Sequence, residues 1–202
     1  MTNTRKFLAL FLAGTFFITS CSDDDEGDNP DPVNEEEVIT TMTVTLTGGG
    51  DTVTLNFFDP DGENGPIAPV KSVEGDLKVN TTYNGTIQLL NASEEEVEDV
   101  NDEIKAEADE HQFFYLTDDL GITITYDDKE SDFENSQGMQ FESDNPVGID
   151  FTLTTTDQIG DAELEIILLH ELDKNAEGVA GGNTDNAGGE PDIEVTFNIT
   201  VE

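Results

Sequence analysis

The sequence predicts an all-β fold: a two-sheet, immunoglobulin-like β-sandwich of mainly antiparallel strands, with one short acidic helix inserted between strands. Three observations predict it. From Val38 onward, apolar residues recur at every second position, the period of a strand with one buried face. Glycine-rich breaks separate neighbouring runs, as at residues 48–51. One stretch changes to a helical period. Two sheets packed face to face would bury one face of each such strand.

The strands follow one another as alternating runs. Their inward positions are Met42, Val44 and Leu46; Val53, Leu55 and Phe57; Leu77 and Val79; Tyr83, Ile87 and Leu89; Ile122, Ile124 and Tyr126; Val147, Ile149, Phe151 and Leu153; Leu164, Ile166 and Leu168; and Ile193, Val195, Phe197, Ile199 and Val201. The first two runs flank the glycine turn and predict a hairpin.

The helix is predicted from Ser93. The sequence Ser93-Glu94-Glu95-Glu96 is a capping box with acidic residues in the first turn. Val97, Val100, Ile104 and Ala108 then fall on one helical face, which indicates a helix of about four turns.

The N-terminus carries an export signal. Arg5 and Lys6 precede an apolar run over residues 7–18, and Ile18-Thr19-Ser20-Cys21 follows. This pattern predicts a lipoprotein signal peptide over 1–20, with lipid attached to Cys21; the alternative is an ordinary signal peptide with an incidental cysteine. Residues 21–37 are acidic and poor in apolar side chains, which predicts a flexible tether. Residues 38–202 then form a single domain.

The start of the tether contains a candidate localisation signal, and its residues indicate where the protein is exported. Ser22-Asp23-Asp24-Asp25-Glu26 is similar to the acidic signal that sends lipoproteins of the Bacteroidetes to the cell surface. We expect a protein anchored in the outer membrane by its lipid and facing the exterior. A solvated tether facing the periplasm is the alternative.

Charge and composition exclude several functions. Beyond residue 20 the chain has five lysines and no arginine against 47 acidic residues, a net charge of −42. Nucleic-acid binding needs clustered cations, so it is excluded. A single cysteine excludes a disulfide framework. Neither a Gly-x-Ser-x-Gly nor an HExxH motif occurs, and we therefore predict that the protein is not an enzyme.

The two histidines are the first candidate site. His111 and His170 each stand beside an acidic residue, Glu110 and Glu171, at the end of an apolar run. Imidazole and carboxylate groups are the ligands of zinc, and the four residues predict a shared transition-metal site. Two separate structural histidines are the alternative.

A loop rich in oxygen donors is the second candidate site. Asp59, Asp61 and Asn64 alternate around glycines, as at the start of calcium-binding loops. The distant glutamate of such loops is missing, because residues 70 and 71 are Val and Lys. A polar turn between strands is the alternative.

Several segments together resemble a family of small flavobacterial surface lipoproteins. They are the Cys21 region, residues 34–41, residues 80–85, residues 107–115 and residues 188–193. Members are often catalogued under the type 1 periplasmic binding fold superfamily, which implies alternating helices and parallel strands; the period-two pattern favours the sandwich. The resemblance implies an accessory to TonB-dependent outer-membrane receptors, and thus capture of a nutrient or metal.

We therefore expect a lipid-anchored, non-enzymatic binding module, for a metal such as zinc or calcium or for a nutrient passed to a receptor. A carboxylate-dependent enzyme acting on glycans and a structural or adhesive surface protein are the two alternatives.

Overall fold

A computed structural model describes residues 37–62, 65–93, 96–117 and 120–202. Within these ranges the chain forms ten strands, one α-helix and two short 3-10 helices. The strands and helices are β1 (Thr41–Gly48), β2 (Asp51–Phe58), β3 (Val70–Glu74), β4 (Thr82–Asn91), β5 (Glu98–Asp99), α1 (Val100–Ala106), β6 (His111–Leu116), β7 (Thr123–Tyr126), a 3-10 helix (Glu130–Asp132), β8 (Asp150–Thr154), β9 (Gly160–His170), a second 3-10 helix (Val179–Gly181) and β10 (Glu190–Val201).

The strands form two sheets. The larger has the order β3-β2-β1-β4-β8-β7, with β5 paired to the end of β4, and the smaller has the order β10-β9-β6. All pairings between the strands named above are antiparallel. The predicted β-sandwich is confirmed. The alternating helices and parallel strands that the family's catalogue label implies are not the fold of the described residues.

The alternation in the sequence becomes one core between the sheets. In β1 the side chains of Met42, Val44 and Leu46 are fully buried, and β10 contributes Phe197 and Val201. Each fully buried side chain of this size contributes about 1.5–3 kcal/mol relative to an exposed one. The residues between these positions face outward, mostly as Thr, Asn, Asp and Glu, because one face of each strand contacts water.

The helix prediction is right in type and wrong in extent. α1 begins at Val100 and its N-cap is Asp99, whose carboxylate accepts a hydrogen bond from the backbone N–H of Asn101 at 3.1 Å. Val97 is exposed, while Val100, Ile104 and Ala108 are buried as predicted. The strand pairing of residues 98–99 with β4 prevents an earlier start. None of the helices in the described ranges is long and apolar enough to cross a membrane.

The strand predicted around Leu77 and Val79 is also displaced. The strand in this region is Val70–Glu74, which pairs with β2. Leu77 makes a single parallel bridge to Val201, and Leu77 is fully buried. The apolar alternation at Leu77 therefore reflects burial between the sheets.

Candidate metal centre

His111 and His170 are brought together by the pairing of β6 with β9. His111 is the first residue of β6, His170 is the last residue of β9, and the two stand opposite each other in the antiparallel register. Their rings stack with centroids 4.1 Å apart and planes 16° apart. Both residues are buried, His111 completely. The predicted proximity of the two histidines is therefore present.

A β-bulge brings Asp192 to the same place. The register between β10 and β9 shifts between Pro191 and Ile193, so Asp192 has no partner opposite it. Ile193 faces the core, and simple alternation would point Asp192 to solvent. The bulge turns its side chain inward, where it is only 1% exposed. Bulges commonly redirect a side chain in this way.

Glu37 approaches from the segment before β1. Its side chain is 3% exposed and contacts both histidines. Four residues from separate parts of the chain thus share one buried cluster, which we call the candidate metal centre: Glu37, His111, His170 and Asp192.

Carboxylate–imidazole contacts join the four residues of this cluster, and three of the four contacts are close to the ligand spacing around a tetrahedral ion. Each carboxylate places one oxygen near each ring: Glu37 Oε1 and Asp192 Oδ2 lie 3.2 and 3.5 Å from His111 Nε2. Glu37 Oε2 and Asp192 Oδ1 lie 3.6 and 3.9 Å from His170 Nδ1. Zinc holds nitrogen and oxygen ligands at about 2.0–2.2 Å, which places neighbouring ligand atoms about 3.3–3.6 Å apart in a tetrahedron.

The same atoms lack other partners. Glu37 Oε2, His111 Nε2, His170 Nδ1 and Asp192 Oδ2 are buried and have no hydrogen-bond partner among the described residues. A buried polar atom without a partner costs about 1–3 kcal/mol, and charged ones cost more. Four such atoms in one cluster therefore require a ligand or protons to satisfy them.

An oxygen atom lies near the second nitrogen of each ring. His111 Nδ1 lies 3.2 Å from the carbonyl oxygen of Glu107, to which only a protonated Nδ1 can donate. His170 Nε2 lies 3.6 Å from Glu110 Oε2. If both rings are neutral, with the proton of His111 on Nδ1 and that of His170 on Nε2, the free lone pairs are on His111 Nε2 and His170 Nδ1. Contacts of this kind orient histidine ligands in metalloproteins.

Glu107 adds a further carboxylate. One donor atom each from Glu37, Glu107, His111 and His170 lie within 4.8 Å of one another. Glu107 is the C-cap of α1, half-buried, and its burial raises the pKa of its carboxyl. It stands close enough to compete with Asp192 as a ligand, but the Asp192 oxygen is the one that is buried without a partner.

The charges around His111 favour its protonated form. Burial lowers the pKa of His111, but close contact with the carboxylates of Asp192 and Glu37 outweighs burial and raises that pKa to about 10. Burial raises the pKa of Glu37, and contact with His111 reverses this to a net lowering. Burial raises the pKa of Asp192. Without a metal, His111 is therefore an imidazolium paired with Glu37.

A buried lysine fixes the backbone beside His111. Lys174 Nζ donates to the carbonyl oxygens of Ala108 at 2.6 Å and His111 at 2.8 Å, and it lies 2.9 Å from Glu130 Oε1. Lys174 and Glu130 are both nearly inaccessible to solvent. This ion pair connects the loop after β9 and the first 3-10 helix to the start of β6.

The predicted site residues are distributed as follows. His111, His170 and Glu110 lie together. Glu171 follows the end of β9 with a positive φ of 53°, is exposed, and makes no ion pair with either histidine among the described residues. Glu37, assigned to the tether by sequence, and Asp192 were missed. The sequence signal for Asp192 was Pro191, because proline inside a strand marks an edge or a bulge.

Two of the three candidate calcium residues lie within the described residues, and they differ in burial. Asp59 is buried, whereas Asp61 is exposed and accepts a hydrogen bond from the Ile67 backbone N–H at 3.1 Å, as a turn residue does. Asn64 lies outside the described residues. So do Cys21, Ser22-Asp23-Asp24-Asp25-Glu26, and the predicted signal peptide and most of the tether.

Comparison with known proteins finds no matching family model, no matching curated protein and no matching solved structure.

Proposed function

We propose that the protein is a non-enzymatic, lipid-anchored module of the outer membrane that binds a divalent transition metal at Glu37, His111, His170 and Asp192. The observation that carries this proposal is the cluster of four buried donor atoms that have no hydrogen-bond partner among the described residues. Two neutral imidazoles and two carboxylates have a net charge of −2, which a divalent ion balances. Four protein ligands leave no open position, as in sites that hold a metal without catalysis.

The ligand types select the class of metal. Imidazole nitrogen suits zinc, copper, nickel and iron, whereas calcium and magnesium take oxygen ligands. The mixed nitrogen and oxygen set without a thiolate favours zinc over the softer Cu(I). We therefore expect zinc to bind and calcium not to bind at this centre.

Titration of the full-length chain in detergent with Zn²⁺ and Ca²⁺, followed by calorimetry and thermal melting, tests the metal. We expect one zinc per chain and a raised melting temperature. Co²⁺ should give the intense visible absorption of a tetrahedral complex. His170→Ala and Asp192→Asn should lower zinc affinity by more than the about 10–100-fold that loss of an outer-shell contact costs.

Glu171→Gln is the matched control, since this acidic residue directly follows His170 yet lies outside the cluster. It should bind zinc like the wild type. Equal zinc affinity in His170→Ala and wild type would refute the proposal and leave a cluster that holds protons only.

The proposed cellular location and the proposed partner protein are supported by the sequence alone. The lipobox ending at Cys21 supports a lipid anchor, the following acidic run supports display at the surface, and the family resemblance supports a TonB-dependent receptor as partner. Cys21→Ala should release the protein from the membrane fraction. Protease treatment of intact cells should degrade the wild-type protein; survival until lysis would indicate a periplasmic orientation.

A further inference from the structure

A cavity adjoins the candidate metal centre and shares Asp192 with it. It measures about 290 Å³ and lies between the chain that enters β1, the end of β2 and the start of β10. Its apolar lining consists of Ile39, Phe57, Pro69, Pro191 and Ile193. Ile39, Phe57 and Ile193 are buried and form the floor, while the two prolines are exposed and stand at the mouth. The volume is just below the roughly 300–1,000 Å³ typical of small-molecule pockets.

The polar lining of this cavity is entirely acidic. It consists of Asp59, Asp192 and Glu194. Asp59 is only 5% exposed, and its Oδ1 atom has no hydrogen-bond partner in the described part of the chain. The Asp59 backbone is held in place, since its N–H donates to the Thr40 carbonyl at 2.8 Å. Its side chain is thus a buried, unpartnered acceptor on the cavity wall.

We propose that this cavity binds a small organic cation, a primary ammonium group on a short apolar body, with the ammonium on Asp59. A buried carboxylate needs a positively charged partner or several hydrogen-bond donors. An ammonium supplies both, because it carries a charge and three N–H donors. The apolar floor then contacts the hydrocarbon part of the ligand.

The lining disfavours a metal ion at Asp59. Calcium takes six to eight oxygen ligands. The cavity offers three carboxylates among apolar walls, and one of them, Asp192, already faces the histidines. This site is distinct from the candidate metal centre in its chemistry and shares only the Asp192 wall with it.

Calorimetric titration with benzylamine tests the inference, using the full-length chain in detergent. Benzyl alcohol, which has the same shape without the charge, is the ligand control. We expect saturable binding of benzylamine at one site and no saturable binding of benzyl alcohol. Asp59→Asn should weaken benzylamine binding at least about tenfold, since a hydrogen bond to a charged group contributes that much.

Asp61→Asn is the matched protein control, because this carboxylate is in the same loop and exposed. It removes the same charge and should bind benzylamine like the wild type. Asp59→Asn should bind zinc unchanged, so loss of the amine site is distinguishable from loss of the candidate metal centre. Methyl chemical shifts of Ile39 and Ile193 in the wild-type protein should respond to benzylamine, which locates the site without any variant.

Three results would overturn the inference. They are non-saturable benzylamine binding, as expected from the charged surface alone; equal affinity in Asp59→Asn; and saturable Ca²⁺ binding that depends on Asp59 and displaces the amine.

Discussion

His111 and His170 face each other across directly paired positions of β6 and β9, with their rings 4.1 Å apart. Two imidazolium rings this close would repel each other because both are positively charged, and their burial strengthens the repulsion. Glu37 and Asp192 each extend one oxygen to each ring and so offset that repulsion. The arrangement can be satisfied by protons or by a divalent ion, and the two alternatives make different predictions.

The first prediction concerns the stability of the metal-free protein. The pKa of His111 is about 10 in the folded state, against 6.5 for an ordinary histidine. A raised pKa contributes stability in full below the unfolded value and loses it as pH rises through the folded value. Urea unfolding in a chelator should therefore show a free energy of unfolding that falls by a few kcal/mol between pH 7 and 10, since one pKa unit corresponds to about 1.4 kcal/mol.

His111→Gln provides the control for this pH dependence. Burial lowers the pKa of Lys174, so titration of this lysine has the opposite effect on stability. The difference between wild type and His111→Gln isolates the histidine. Parallel profiles for the two proteins from pH 7 to 10 would contradict the raised pKa.

The second prediction is that zinc binding releases protons. At pH 7 His111 is protonated, and its Nε2 must lose that proton to bind a metal. Calorimetry in buffers with different ionisation enthalpies should show release of about one proton or more per zinc, and affinity should rise about tenfold per pH unit near neutrality. Zinc affinity that is independent of pH between 6 and 8 would place the metal elsewhere.

The sequence predicted the fold better than the site, for a physical reason. Strand periodicity is local, and Met42, Val44 and Leu46 are buried as their spacing requires. The helix was misjudged because the capping box at Ser93 satisfies the local rule, while pairing of residues 98–99 with β4 depends on distant strands. A local rule was overridden by tertiary contacts.

The same limit applies to the candidate metal centre. His111 and His170 were identified by residue type, but the register that pairs them arises from the whole β6–β9 ladder. Glu171 is predicted as a ligand because it directly follows His170. However, β9 ends at His170, and Glu171 has a positive φ of 53° and an exposed side chain. Asp192 is directed inward by a bulge, and strict alternation predicts the opposite direction.

The third prediction concerns the chain just before β1. Glu37 lies in the segment before β1, whereas the histidines and Asp192 lie in the smaller sheet. A bound metal would therefore connect this segment to the smaller sheet. Hydrogen exchange of the Thr40 amide, which donates to Leu90 O at 3.0 Å, should become several-fold slower when zinc is added, because local opening then breaks a metal bond. The Val44 amide in the centre of β1 should not change. Glu37→Gln should abolish the zinc effect at Thr40; persistence of the effect would exclude Glu37 as a ligand.

The fourth prediction concerns the Lys174–Glu130 pair beneath the centre. Lys174→Met would leave the Glu130 carboxylate buried without its 2.9 Å partner and the carbonyls of Ala108 and His111 without their donor. Breaking a buried pair costs about 3–5 kcal/mol, and we expect a loss of that order in urea unfolding. Adding Glu130→Gln should restore part of it, because the unpaired charge is then removed. Lys105→Met, at a more exposed lysine, should change stability by less than about 1 kcal/mol. If Lys174→Met destabilises no more than Lys105→Met, the pair does not hold the start of β6.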